Sequence, residues 1–193
     1  MVRRIIGITG GIGAGKSVVS RILRGRGYPV FDCDYEAKVL MGCNKDLMRS
    51  LVELVGEATY SNGELDRAYL ASVIFTDAEK RAAVNKLVHT AVRQEFQRRA
   101  QDTSGLFFVE AAIMASSGLA ALCDGVWVVD APDGLRFKRA LERGGISPED
   151  LRKRFESQSN ELEILKQTGV PTCLIDNSST SRLCERIDEL IDR

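Results

Sequence analysis

Near its beginning the chain reads Gly10-Gly11-Ile12-Gly13-Ala14-Gly15-Lys16-Ser17. This satisfies the pattern G-x-x-x-x-G-K-S, whose chemistry is phosphate capture. Glycines let main-chain N–H groups crowd around phosphate oxygens. The helix that follows adds the partial positive charge of its N-terminus. A lysine there reaches the β- and γ-phosphates, and a serine hydroxyl is a ligand for Mg²⁺. Gly11, Ile12, Gly13, Ala14, Gly15, Lys16, Ser17 and Val18 are therefore expected to hold a nucleoside triphosphate, with Lys16 stabilising charge and Ser17 at the metal. The flanks agree. Arg4-Ile5-Ile6-Gly7-Ile8-Thr9 is a short apolar β-type segment, and Val18-Val19-Ser20-Arg21-Ile22-Leu23 opens a helical pattern.

Asp32-Cys33-Asp34 is the next signal, directly after the apolar run Pro29-Val30-Phe31. In a phosphoryl transfer one such carboxylate accepts the proton of the attacking hydroxyl. Asp34 is the better candidate for that base, and Asp32 suits a Mg²⁺-bound water. Glu110 and Asp130 each close a run of apolar residues, where a carboxylate of the metal shell is expected. Pattern alone does not choose between them. His89 is the only histidine and lies in a long helical pattern. It reads as structural or substrate-contacting rather than catalytic.

The elements that must position these groups follow from five apolar runs, at residues 4–9, 29–31, 106–109, 126–129 and 173–175. Several are continuous rather than alternating, as in parallel strands buried on both faces. Helical patterns between them imply a doubly wound α/β fold, whose ligands bind beyond the carboxyl ends of the strands. The loop, the Asp pair, Glu110, Asp130 and Asp176-Asn177 each stand at such an end.

From Tyr35 to Asp102 no strand is convincing. Asp66 is placed to cap one helix, Ser61-Asn62-Gly63 to form a turn, and Thr76-Asp77-Ala78-Glu79 to cap a long helix as a capping box. The expected apolar face of that helix is Ala82, Ala83, Leu87, Val88, Ala91 and Val92. This helical insert has room for a second substrate. Later, Ser147-Pro148-Glu149-Asp150 starts another helix, with Ser as cap and Pro at its first position. Gly144-Gly145 offers a hinge, and Arg139, Arg143, Arg152 and Arg154 surround it, as in a phosphoryl-transfer lid.

Composition narrows the class. Lys plus Arg equals Asp plus Glu, 27 each, so the basic footprint of a nucleic-acid binder is missing. Five cysteines without a C-x-x-C pair argue against a disulfide framework or a zinc site and fit a reducing cytoplasm. The first strand starts at once, so no signal peptide is expected. No apolar run is long enough for a membrane span.

Together these residues resemble the dephospho-coenzyme A kinases over nearly the whole chain. The loop from Gly7 to Ser17 resembles that family's opening. Asp32-Cys33-Asp34 with Ala37 is similar to its Asp-Ala-Asp motif. Gly63-Glu64-Leu65-Asp66-Arg67 with Val73-Ile74-Phe75 resembles its Gly-x-Leu-x-Arg stretch before a Val-Phe pair. Glu110 matches the acidic residue closing its third strand. Arg139, Arg143, Arg154 and Gln158 fit its lid, and Ile175-Asp176-Asn177 its Ile-x-Asn near the C-terminus. The family usually has His-Pro where this chain has His89-Thr90.

The resemblance implies a three-layer P-loop NTPase fold in one kinase domain. Its parts would be a core at about 1–34, 103–138 and 170–193 with a five-stranded parallel sheet, a helical substrate insert at about 35–102 and a small helical lid at about 139–169. It implies ATP-dependent phosphorylation of the ribose 3′-hydroxyl of dephospho-coenzyme A. Asp34, Lys16 and Arg139 would be catalytic, Arg143 and Asn177 would join the loop on ATP, and Arg67, His89 and Glu110 would join Asp34 on the acceptor. Mg²⁺ would sit at Ser17 and Asp32.

Two rivals are weaker. A GTPase needs Asn-Lys-x-Asp, and Asn44-Lys45-Asp46-Leu47 has Leu at the required Asp. A nucleoside monophosphate kinase would carry Asp-Gly-Phe-Pro-Arg and Asp-Arg-Tyr signatures, which this chain lacks.

Overall fold

Nine α-helices and seven strands, with two short 3-10 turns, order the described residues, which in this computed structural model are 3–158, 160–179 and 182–192. In chain order they are β1 (Arg4–Thr9), α1 (Lys16–Gly25), β2 (Val30–Asp32), α2 (Cys33–Cys43), α3 (Lys45–Val55), β3 (Tyr60–Ser61), β4 (Glu64–Leu65), α4 (Arg67–Thr76), α5 (Ala78–Gln101), β5 (Leu106–Glu110), β6 (Gly125–Asp130), α6 (Asp133–Glu142), α7 (Pro148–Gln158), α8 (Glu161–Gln167), β7 (Thr172–Asp176) and α9 (Leu183–Ile191). The chain forms two compact units, Met1–Phe31 with Asp102–Arg193, and Asp32–Gln101. Among the described residues, no helix is long and apolar enough to cross a membrane.

The first unit is built on a five-stranded parallel sheet in the order β2-β5-β1-β6-β7, one strand for each apolar run of the sequence. β1 lies at its centre. It pairs with β5 from Arg4↔Leu106 to Ile8↔Glu110 and with β6 from Ile6↔Gly125 to Thr9↔Val128. Parallel neighbours put all strand C-terminal ends at one edge, so Thr9, Glu110, Asp130 and Asp176 share that edge. One face of the sheet, through Ile6, Ile8, Phe108, Trp127, Val129 and Ile175, packs against α1 and α9. Ile8, Leu23, Phe108, Ile175 and Ile187 are fully buried. Each contributes roughly 1.5–3 kcal/mol of transfer free energy.

A second, smaller core joins α6 and α7. Ala140 and Leu151 are buried there with the loop residue Ile12, and Phe137, Leu141, Ile146 and Phe155 pack around them. Ser147 opens α7 as the sequence implies, its hydroxyl accepting the Asp150 N–H at 3.1 Å.

The second unit is mostly helical, and its helix starts are written in its polar residues. Asp32, Asn44, Asp66 and Asp77 each accept a backbone N–H three residues on, at 2.8–3.0 Å. Such caps satisfy the orphan donors of a first turn.

Three expectations need correction. The cap of α5 is Asp77, not Thr76, because Thr76 ends α4 with its hydroxyl bonded back to Ser72 O at 3.1 Å. The unit also contains strands, the short antiparallel pair β3 and β4 around the Asn62-Gly63 turn. The buried stripe of α5 is Val84, Val88, Val92, Phe96 and Ala100, while Ala82 is exposed. Steps of four from Val84 to Ala100 set the face, and the alanines at 82, 83 and 91 fall off that step.

Candidate active site

The glycine loop begins where β1 ends. Its backbone is set by close approaches that only glycine allows. Gly13 has φ +77°, and a β-carbon there would strike the Arg136 carbonyl. Gly15 has φ +101° and turns directly into α1; a β-carbon there would strike the side-chain amide of Asn177. Both conformations lie in the left-handed region that side chains disfavour. Lys16 opens α1, and its Nζ donates to the carbonyls of Gly10 at 2.7 Å and Gly11 at 3.3 Å. The ammonium is therefore drawn across the mouth of the loop. Ser17 is exposed in the first turn of α1, and Val18 N donates to Gly15 O at 2.9 Å.

Helices α6 and α7 hold the loop at Ile12. Its N–H donates to Gln158 Oε1 at 2.9 Å, and its carbonyl accepts from Arg136 Nε at 3.2 Å. The Arg136 guanidinium lies 4.7 Å from the centre of the Phe155 ring and donates to Asp133 at 2.9 Å. Loop tip, α6 and α7 are thus tied by side-chain bonds to the Ile12 main chain and by the apolar contact of Ile12 itself.

The other side of the loop is held by Asn177, which is 2% exposed. Its Nδ2 donates to Ala14 O at 2.8 Å, and its own N–H donates to Asp130 O at 2.7 Å. Arg139 Nη1 donates to the Asn177 carbonyl at 2.9 Å. Loop, β6 end, β7 end and α6 are tied through one residue.

These elements enclose a cavity of about 190 Å³ lined by Thr9, Gly10, Gly11, Asp130, Arg136 and Gln158, among others. The Thr9 hydroxyl is buried without a hydrogen-bond partner. A buried carboxylate, Glu161, also lines the cavity and accepts the N–H groups of Ala115 at 2.5 Å and Ser116 at 3.3 Å. The cavity carries one guanidinium, Arg136, beside the carboxylates Asp130, Asp133 and Glu161. The ammonium of Lys16 stands at the glycine loop itself, where main-chain donors and a cation suit a phosphate.

The remaining expected residues are distributed as follows. Glu110 is buried at the end of β5, level with Ile8. Arg143 is exposed just past α6 and is not among the residues lining the cavity. In the second unit, Asp32 caps α2, Asp34 is exposed in its first turn, and Arg67 is exposed at the start of α4. His89 is half-buried in α5. Burial pushes its pKa down, Arg93 adds to that, and Asp34 pulls the other way.

Arg136, Phe155 and Glu161 did not stand out in the sequence. Arg136 had a signal: it lies one turn before Arg139 on the same helix. Glu161 had none, since its partners are backbone N–H groups 45 and 46 residues away.

A glycine-rich phosphate loop between the central strand of a parallel sheet and its following helix defines a P-loop nucleotide-binding protein of α/β class. The family model for dephospho-CoA kinase matches residues 4–182. A dephospho-CoA kinase of Porphyromonas gingivalis is 45% identical over 170 residues, covering 88% of this chain and 84% of the relative. One of Corynebacterium diphtheriae is 35% identical, covering 95% and 93%. A crystal structure from Thermus thermophilus superposes with a TM-score of 0.82 at 32% identity, covering 99% of this chain and 97% of that one. A dephospho-CoA kinase from Campylobacter jejuni has a TM-score of 0.72 at 22% identity and shares the fold. The chain belongs to the dephospho-CoA kinase family, transferases that catalyse the final step of coenzyme A biosynthesis. A nucleotide phosphoryl donor and a small-molecule acceptor come with that membership.

Proposed function

We propose that this chain transfers the γ-phosphoryl group of ATP to the ribose 3′-hydroxyl of dephospho-coenzyme A, giving coenzyme A and ADP. The observation that carries the donor half is Lys16 Nζ held at 2.7 Å from Gly10 O, at the mouth of a loop held at Ile12 by Arg136 and Gln158. In this reading the loop from Gly11 to Val18 wraps the ATP phosphates, with the N–H groups of Ile12, Ala14 and Val18 already bonded within the fold, and Lys16 neutralises charge developing on the β- and γ-oxygens. Arg139 adds a cation from α6, and Arg143 meets the nucleotide when the lid closes. Asn177 acts through the loop, fixing Ala14 and Gly15 in place.

On the acceptor side Asp34 takes the proton of the attacking hydroxyl. Arg67, His89 and Glu110 orient the acceptor. The domain divides by role into a core at about 1–34, 103–138 and 170–193, an acceptor-binding insert at about 35–102 and a lid at about 139–169. Mg²⁺ takes oxygen ligands and needs only one or two from the protein when it travels with phosphates. The Ser17 hydroxyl, exposed at the start of α1, fits that demand, and Asp32 would be the second residue to hold the ion. Its chemistry there would be to neutralise charge between the β- and γ-phosphates. The enzyme would work in the cytoplasm as a metabolic catalyst.

The test is ADP release with dephospho-coenzyme A beside a panel of nucleoside monophosphates, run on wild type and Asp34→Asn. The expected result is turnover that depends on dephospho-coenzyme A and falls by roughly 10²–10⁴-fold in the variant while ATP still binds. Faster turnover with a nucleoside monophosphate overturns the acceptor, and wild-type turnover in Asp34→Asn removes Asp34 as base.

A further inference from the structure

In the helical insert, Glu36 follows Asp34 by two residues, and its side chain is only 7% exposed. Arg99 on α5 closes a two-pronged pair on it, with Nη1 to Oε1 at 2.9 Å and Nη2 to Oε2 at 2.7 Å. The third nitrogen of the same guanidinium, Nε, donates to Glu95 Oε1 at 2.7 Å. Glu95 is gripped in turn by Arg98, through Nε at 2.9 Å and Nη2 at 2.8 Å. All three nitrogens of Arg99 are thus committed to carboxylates on two helices.

A buried ion pair is weak evidence of stability, because an apolar pair of similar volume serves as well or better. What a forked guanidinium–carboxylate pair adds is geometry, since two planar groups bonded twice fix both distance and rotation. The element fixed here is the first turn of α2. Glu36 and Asp34 are two positions apart on a helix and point to different faces. One is buried against Arg99 and the other is exposed. Turning Glu36 inward therefore sets where Asp34 points.

We infer that Arg99 is a positioning residue for phosphoryl transfer, its fork on Glu36 fixing the rotation of the α2 turn that aims Asp34 at the acceptor hydroxyl. This rests on the reading of Asp34 as the base. The pair has no part in holding ATP, so its loss changes the chemical step and leaves the donor site alone.

The test uses the full chain and two variants, Glu36→Met with Arg99→Met together, and Arg99→Lys alone. The double variant removes both charges at once and keeps the volume; Arg99→Lys keeps the charge and loses the fork. Both are expected to melt close to wild type and to keep the wild-type KM for ATP. Their kcat falls by roughly 10- to 100-fold, the cost of a small misplacement of a reacting group. Wild-type kcat in Arg99→Lys overturns the inference, whether or not the double variant folds, and so does wild-type kcat in a folded double variant. A rise in ATP KM alongside the loss also overturns it, marking general loosening. Asp34→Asn is assayed in parallel. If it is slow while the pair variants are fast, the pair alone is refuted. If it is fast, the base and the positioning role fall together.

Discussion

The side-chain amide of Asn177 donates to the carbonyl of Ala14 at 2.8 Å and fills the space a side chain at residue 15 would need. The last strand of the sheet thereby dictates the shape of a loop that begins at the first.

Gly15→Ala meets both a left-handed φ and the Asn177 amide. It is expected to lower kcat/KM for ATP by more than about 10-fold, since strain at such a backbone is of order 1–3 kcal/mol before the clash is added. Asn177→Ala vacates the space, so the double variant is expected to lose less than the sum of the two single losses. Steady-state kinetics on the four proteins measure the coupling. An unchanged ATP dependence in Gly15→Ala would falsify this account of the loop.

Lys16→Ala removes the ammonium at the loop mouth. ADP release is expected to fall by about 10²-fold or more, the usual cost of one preorganised electrostatic contact in a dry site. Melting temperature changes little, because Lys16 is a partly exposed side chain. Turnover at the wild-type rate would remove Lys16 from the phosphates.

The bonds from Gln158 and Arg136 to Ile12 tie α7 and α6 to the loop, so nucleotide at the loop is expected to slow amide exchange through both helices. Mass-spectrometric exchange over residues 133–158, with and without a non-hydrolysable ATP analogue, reads this directly. Gln158→Ala should weaken the protection. Exchange indifferent to the analogue would mean the two helices are not a lid.

Arg98, and then Arg99, hold the Glu95 carboxyl down to about 2 from an ordinary 4.5. A depressed carboxyl contributes stability that is fully present above its unfolded pKa and is lost as pH falls through the folded one. Stability from this cluster is therefore present above about pH 4.5 and drains away towards pH 2. Glu95→Gln is expected to melt roughly 2–4 °C below wild type at pH 7, the shift that about 1 kcal/mol makes in a domain of this size. The gap should close below pH 4.5. A gap that widens on acidification would contradict the sign.

The sheet was legible because each of its five strands carries a short apolar run, several of them continuous, a signal that survives without knowledge of pairing. The loop was legible because its glycines encode backbone shape directly. Where side chains meet the main chain, the sequence is mute. Arg136 binds the carbonyl of a residue 124 positions away, and no residue type at position 12 announces it. The β3–β4 hairpin escaped because two-residue strands are too short to show a period of two. The start of α5 slipped by one residue because Thr76 and Asp77 are both good caps, and only the preceding helix decides which is available.

The central place of β1 carries a consequence for biosynthesis. Its partners begin at Leu106 and Gly125, so the strand that leads into the glycine loop leaves the ribosome with neither neighbour made. About a hundred residues must be translated before its first backbone bonds to β5 can close, and such long closures are slow. The helices of residues 32–101 lie between β2 and β5 in the chain and are translated by then. On the nascent chain the helical unit is therefore complete in sequence before the sheet can close, and the phosphate loop, although encoded first, gains its full support after it.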